Sequence, residues 1–313
     1  MESGRLMDDL RDAVSGLRLR DDASWRALTS LGVGGAVPVL AEPDDDRRLA
    51  ALLKFLDSEA IPFLIVGGGT NLVGSDGPAG VLALRLGKGF QRVSAEGAEA
   101  RIGAGVGLSE FIVRRAEDGF GGAAALAGVP GTVGGAVAMN AGADGVEMSS
   151  IVEEVRGFRV DGSPWSVSGD EIDWSYRNSR LPRGVVVCEV SVRLESVDSA
   201  SELAEIAETR KSRLGRFPRG RSAGCAFKNP SAELPAGKAL DLAGCKGLVV
   251  GGAEVSDAHA NFILNVGGAS EKDMLDLMLE MGRRVFDMFG VRLEPEVRFV
   301  SEEMGKRIVD IGA

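Results

Sequence analysis

The chain has 313 residues, 44% of them hydrophobic and 26% charged, which is enough for two domains with sizeable cores and unlike a disordered chain. A net charge of -10 and a pI near 4.9 argue against nucleic acid or an anionic membrane surface as partner, and no apolar run is long enough to span a bilayer. Three scattered cysteines (Cys188, Cys225, Cys245) and a single histidine support neither a disulfide framework nor a metal site, so a reducing, cytoplasmic setting is expected.

In chain order, residues 1–14 read as an acidic amphipathic helix, unlike a signal or transit peptide. Residues 37–40 suggest a short strand. Pro43 and the acids 44–46 then open a helix with Leu49, Leu52, Leu53 and Leu56 on one face. A buried strand at 63–66 completes a β-α-β unit and runs into Gly67, Gly68, Gly69, Thr70 and Asn71. From 81 to about 195 the pattern changes to short strands (81–84, 100–102, 152–160, 185–194), interrupted by a helix at 109–117 and by glycine loops, which suggests an α+β second unit. The polar run 196–201 reads as a linker, followed by a helix at 201–214 with Leu203, Ile206 and Ala207 on one side. The last third carries a strand at 262–266, a long helix at 270–289 whose methionines read as core, and a final strand at 297–300.

Glycine is the departure from average: 44 residues, about twice the usual share of roughly 7%, and clustered. Clustered glycine marks backbone that turns sharply or approaches a ligand closely. A diphosphate needs several backbone N–H groups converging on it, which such loops provide. Gly67 to Asn71 is one candidate. The second is Pro130, Gly131, Thr132, Gly134 and Gly135, continuing to 139–142. Each also reads as a plain tight turn. A Rossmann loop would open a helix, whereas Leu72-Val73-Gly74-Ser75-Asp76-Gly77 is not helical.

The segments GGGTNL, AGVPGTVGGAVAMNAGA, YRNS, GCAFKNP, HANFILN and LEPEVRF, in this order between about 28 and 300, resemble the UDP-N-acetylenolpyruvoylglucosamine reductases of peptidoglycan synthesis. The resemblance implies an α+β fold: a two-lobed FAD-binding domain of the vanillyl-alcohol-oxidase (PCMH) type plus a C-terminal α+β substrate-binding domain. It implies FAD as cofactor, NADPH as hydride donor and UDP-N-acetylglucosamine enolpyruvate as substrate. On this basis residues 1–27 are an N-terminal helical segment, 28–196 the FAD-binding domain with lobes at about 28–76 and 77–196, 201–305 the substrate-binding domain and 306–313 a tail. The chain leaves no room for the long substrate-capping insertion found in part of the family. Its oligomeric state stays open, a monomer included.

Within the resemblance, hydride reaches the outer carbon of an enolpyruvyl ether and the adjacent carbon takes a proton, so charge builds beside a carboxylate and needs fixed donors and a neutral acid. The family arginine falls on Arg177, next to Tyr176, the only tyrosine, and its planar fork suits a carboxylate. The family glutamate falls on Glu296, between Pro295 and the last strand, where burial would raise its pKa and keep it protonated. Arg298, two residues on, shares its strand face. The family's proton-donor serine is replaced here by Cys225. A thiol of pKa roughly 8.5 is neutral at physiological pH and a better acid than an alcohol, although a nearby cation such as Lys228 would turn it into thiolate. Lys228, Asn229 and His259 are candidates for substrate contact, and Arg210, Lys211, Arg213, Arg216, Arg219 and Arg221 form a basic cluster that reads either as an anion site or as a solvated helix face.

Bland readings stand beside these. A free cysteine is most often core, as assigned to Cys188 and Cys245, and a lone histidine is more often structural than catalytic. Two other functions use the same residues: a flavin-independent thiol hydrolase or transferase built on Cys225 and His259, and a flavoprotein of altered substrate.

Overall fold

A computed structural model describes residues 3–77, 79–301 and 306, so the tail expected at 306–313 lies, Lys306 apart, outside the described residues. The chain forms two compact units. One comprises the N-terminal residues up to Asp21, Pro38–Gly68 and Gly80–Ser212. The other comprises Asp22–Val37, Gly69–Ala79 and the chain from Arg213 onward.

The first unit is built on a four-stranded and a five-stranded sheet, with two two-stranded pairings beside them. A four-stranded sheet runs in the order Arg18–Arg20, Leu40–Glu42, Leu82–Leu84, Phe63–Ile65. Leu82–Leu84 is parallel to both neighbours and buried at every residue, as a central parallel strand covered on both faces must be. Helix Asp46–Ser58 begins where the Asp45 carboxylate accepts the Arg48 N–H, and Leu49, Leu52, Leu53 and Leu56 are buried as their spacing predicts. Leu6, Met7 and Leu10 of helix Ser3–Ala13 join the same core.

Two expectations shift here. The strand expected at 37–40 begins only at Leu40, and the strand at 63–66 is Phe63–Ile65, an edge strand with Ile65 38% exposed and only Val66 buried. The β-α-β unit is completed by Leu82–Leu84, which inserts between the two strands, so a lobe boundary at 76 cuts through a single sheet. Strand pairing, not chain order, decides sheet membership.

The second sheet is antiparallel, in the order Pro164–Ser168, Val152–Phe158, Val186–Arg193, Glu99–Gly103, Val93–Glu96. Alternate residues of Val186–Arg193 point inward, and helices Leu108–Glu117 and Val133–Ala138 contribute to its core. The expected linker at 196–201 is structured: Ser196 pairs with Phe120, and helix Ser199–Arg216 has already begun. Its inward face is Glu202, Leu203 and Ile206, Leu203 being half-buried against the core, with Ala207 exposed. The buried Glu202 carboxylate accepts the Gly122 N–H at 3.0 Å, so an acid shares the inward face with the apolar residues.

The second unit is built on an antiparallel sheet ordered Ser222–Cys225, Phe262–Asn265, Ala253–Val255, Val249–Val250. Helix Glu271–Phe289 starts with a Ser270/Asp273 capping box and buries Met274, Met278 and Met281, the core role read from their spacing. Leu31, Val33 and Val73 lie in this same core, which draws 22–37 and 69–79 into the unit. The contiguous boundaries 28–196 and 201–305 therefore do not coincide with the compact units, and residues 1–27 contribute to both. Among the described residues no helix is long and apolar enough to cross a membrane.

Candidate active site

The two glycine segments meet in the first unit. A Cβ on Gly67 would lie 2.5 Å from Thr132 Oγ1, so only glycine allows this approach. Thr132 caps helix Val133–Ala138 by accepting the Gly135 N–H, and Gly131 sits at φ +109°. Gly67, Gly68, Pro130 and Gly135 are exposed. Exposed glycine backbone beside a threonine hydroxyl is a set that a diphosphate fits.

Not all the glycines serve that purpose. A Cβ on Gly134 would press on Ala104 Cβ at 2.8 Å, and Gly134 N–H bonds the Ala104 carbonyl at 2.9 Å, so this glycine is a packing contact. Gly69, in the second unit, has φ +63° and a Cβ there would stand 1.9 Å from the Leu28 carbonyl oxygen. Asn71 Nδ2 donates to the Glu296 carbonyl at 3.0 Å, and the Asn71 carbonyl accepts the Arg298 N–H at 3.1 Å. This fits the parallel pairing of Leu72–Val73 with Arg298–Phe299, and a strand follows Asn71 where a Rossmann loop requires a helix. Thr70 is half-buried in the same segment.

Arg177 stands on a tight turn of the first unit. Ser175 and Asn178 exchange both backbone hydrogen bonds, at 2.8 and 3.0 Å, and Arg177 itself lies at φ +57°. Its guanidinium sits 4.9 Å over the Tyr176 ring while Nη2 donates to the Gly142 carbonyl at 3.0 Å. Tyr176 is 43% exposed and Arg177 half-buried, so the cation is held from behind with its aromatic neighbour toward solvent.

Cys225 and Glu296 are brought together in the second unit. Cys225 ends strand Ser222–Cys225, opposite Phe262. The next residue accepts the Glu296 N–H on its carbonyl at 2.9 Å, and Phe227 bridges Pro295. Both residues are half-buried. Glu296 precedes the short strand Arg298–Phe299, and Arg298 is exposed. The other two thiols are core: burial pushes Cys188 well above the ordinary thiol range and Cys245 up to about 11.

The remaining candidates are engaged structurally. Lys228 Nζ pairs with Glu294 Oε1 at 2.5 Å. Asn229 Oδ1 accepts the N–H of Ala236, the first residue of helix Ala236–Leu242. His259 packs against Phe217 and Phe262, which stack on each other, with centroids at 5.5 and 5.1 Å, and its Nδ1 accepts the Asn261 N–H at 3.2 Å. Desolvation, the largest cause, lowers its pKa below the ordinary 6.5. Such a group contributes stability above 6.5 that is lost as pH falls through its folded value, so His259→Gln is expected to lose less thermal stability than the parent between pH 7 and 5 in a melting series. The basic cluster divides: Arg210 donates to Ser109 Oγ at 2.8 Å in the first unit, while Arg213 and Arg216 lie over the Phe217 ring in the second.

Two buried amides escaped the sequence reading. Asn261 Oδ1 accepts the Phe227 N–H at 2.9 Å and its Nδ2 donates to the Phe227 carbonyl at 2.8 Å, stapling the Cys225 segment in place. Asn140 plays a comparable part behind Arg177. Both lie within the motifs, yet buried polarity depends on partners distant in sequence.

Residues 7–167 match the family model of an FAD binding domain, and residues 216–300 match that of the UDP-N-acetylenolpyruvoylglucosamine reductase C-terminal domain. Fold, cradle and these matches define an FAD-dependent oxidoreductase whose cofactor unit is of the vanillyl-alcohol-oxidase (PCMH) type. Two reductases of that name, from Desulfosudis oleivorans and Geobacter metallireducens, are each 39% identical; the alignments cover 91% and 94% of this chain and 95% and 97% of theirs. The solved reductase from Thermus caldophilus is 35% identical with a TM-score of 0.79, covering 90% of this chain and 99% of that one. The chain belongs to the UDP-N-acetylenolpyruvoylglucosamine reductase family.

Proposed function

We propose that the protein reduces UDP-N-acetylglucosamine enolpyruvate to UDP-N-acetylmuramate with NADPH as reductant. This would be a cytoplasmic step of peptidoglycan precursor synthesis, on which cell-wall growth, cell shape and division depend. The observation that carries the reading is the 2.9 Å bond from Glu296 N–H to the Ala226 carbonyl, which in a member of this family sets a thiol residue beside a carboxyl residue. Gly67, Gly68, Thr70, Pro130, Gly131, Thr132 and Gly135 would hold the FAD diphosphate. Bound FAD, once reduced by NADPH, supplies the hydride for the outer enolpyruvyl carbon.

Arg177 grips the substrate carboxylate with its fork while charge spreads into that group from the inner carbon. Glu296, protonated, donates a hydrogen bond to the same developing charge. The Cys225 S–H bond breaks to give its proton to the inner carbon, leaving a thiolate that solvent reprotonates, so the double bond gains one hydride and one proton and no other bond of the substrate breaks. Asn261 keeps the Cys225 segment in register. Tyr176, Lys228, Asn229 and Arg298 are proposed to contact the nucleotide sugar. His259, packed against two phenylalanines, is proposed as a structural residue.

The purified protein should be yellow, bleached by NADPH and recoloured by the enolpyruvyl nucleotide sugar in stopped-flow absorbance. A colourless protein, or bleaching without recolouring by this substrate, would reject the assignment. Arg177→Lys keeps the charge and loses the fork, so recolouring should slow by about 10²–10³-fold while bleaching by NADPH is retained.

A further inference from the structure

We infer that Asn140 is a positioning residue for Arg177, acting through its buried side-chain amide. Asn140 is 1% exposed and follows helix Val133–Ala138 at φ +40°, a left-handed conformation that asparagine tolerates at a helix C-terminus. The Asn140 N–H bonds the Val137 carbonyl at 3.0 Å and the Ala141 N–H bonds the Ala136 carbonyl at 2.8 Å, closing the helix.

Every group of the amide is used. Nδ2 donates to Glu147 Oε2 at 2.8 Å and to the Ser175 carbonyl at 3.2 Å, and Oδ1 accepts the Ser149 N–H at 3.0 Å. An ionised carboxylate only accepts, so Glu147 dictates which face of the amide carries the nitrogen. One side chain thereby joins the two places that hold Arg177. Ser175 begins the turn carrying Arg177. Glu147 pairs with Gly142, whose carbonyl accepts Arg177 Nη2 at 3.0 Å. Ser179 Oγ, just past the turn, donates to the Ala138 carbonyl at 3.2 Å, so both ends of the turn are tied to the end of one helix. The positive φ at Arg177, +57°, is a conformation the chain would leave if the turn were loosened.

This inference rests on the proposed role of Arg177 toward a carboxylate, and a double-mutant cycle separates the two. Asn140→Gly keeps the left-handed backbone and removes only the amide. With NADPH-reduced holoenzyme and UDP-N-acetylglucosamine enolpyruvate, Asn140→Gly is expected to slow recolouring by about 10–100-fold, as a misplaced group does, while bleaching stays within about twofold. In the Arg177→Lys background the same change should cost less than about threefold, since the side chain it positions is already altered. Parent-like recolouring in Asn140→Gly, or a full multiplicative loss in the double variant, overturns the positioning role. An Arg177→Lys variant at parental rate instead overturns the assignment of Arg177. If Asn140→Gly fails to retain flavin, Glu147→Ala, which strips one acceptor from Nδ2, takes its place in the cycle with the same expected and overturning results.

Discussion

Cys225→Ala should slow reoxidation of the reduced flavin by substrate by about 10²–10⁴-fold, the usual worth of a positioned general acid, with no effect on reduction by NADPH. Cys225→Ser retains a transferable proton and should keep at least roughly a tenth of the parental rate. The two variants differ by one atom of proton-bearing capacity in the same small volume, so packing cannot account for a difference between them. A thiol acid also makes a specific prediction about pH. Recolouring should fall away on the alkaline side, where thiols ionise, and that limb should vanish in the serine variant. Lys228, the nearest cation in sequence, pairs with Glu294 at 2.5 Å. An alanine variant as fast as the parent would remove Cys225 from the reaction and leave it as a small residue at the end of a strand.

Gly69→Ala should destabilise the second unit by about 2–5 kcal/mol. An overpacked site costs about 1–3 kcal/mol and left-handed backbone for an L-residue a further 1–2. The added Cβ would stand 1.9 Å from the Leu28 carbonyl oxygen and 2.9 Å from Thr29 Cα, and backbone atoms do not rotate out of the way. In differential scanning calorimetry this should appear as a fall of about 10–20 °C in the midpoint of the affected transition. Gly67→Ala is the informative contrast. Its Cβ would meet Thr132 Oγ1, a hydroxyl that can turn at the loss of one helix cap, about 1 kcal/mol. That variant should fold and yet lose flavin on dialysis, because the hydroxyl is displaced into the cradle. A parental midpoint in Gly69→Ala would mean that the segment at Leu28 yields freely. Equal losses of stability in the two variants would dissolve the distinction between the packing glycine and the cradle glycine.

Much of the secondary structure was legible because burial periodicity is local. The Leu49, Leu52, Leu53 and Leu56 face and the methionine face of the last long helix follow directly from 3.6-residue spacing, and both are buried as expected. The helix at 199–216 shows the limit of the method. Its inward acid, Glu202, is satisfied by the Gly122 N–H, a partner 80 residues away that no window of sequence contains. The same limit applies to Asn71, Asn140 and Asn261, whose amides serve as staples for backbone elsewhere in the fold. A polar motif residue invites a ligand; once buried, it is at least as often a cross-link.

The glycine segments show where local information stops. Their clustering and the non-helical residues after Asn71 already argued for a diphosphate loop other than a Rossmann turn, and six motifs in order pointed to the family and hence to the flavin. Those conclusions need only residue types and spacing, because phosphate recognition uses backbone N–H groups that glycine exposes wherever it stands. Which glycine meets the ligand and which meets the protein required the fold. Gly67 faces Thr132, whereas Gly69 faces the Leu28 carbonyl and Gly134 faces Ala104. Likewise the placing of Leu82–Leu84 between two earlier strands, and of residues 22–37 and 69–79 in the core of the second unit, could not be read along the chain. Strand order and core membership are settled by which apolar faces bury one another, an energy shared between segments far apart in sequence.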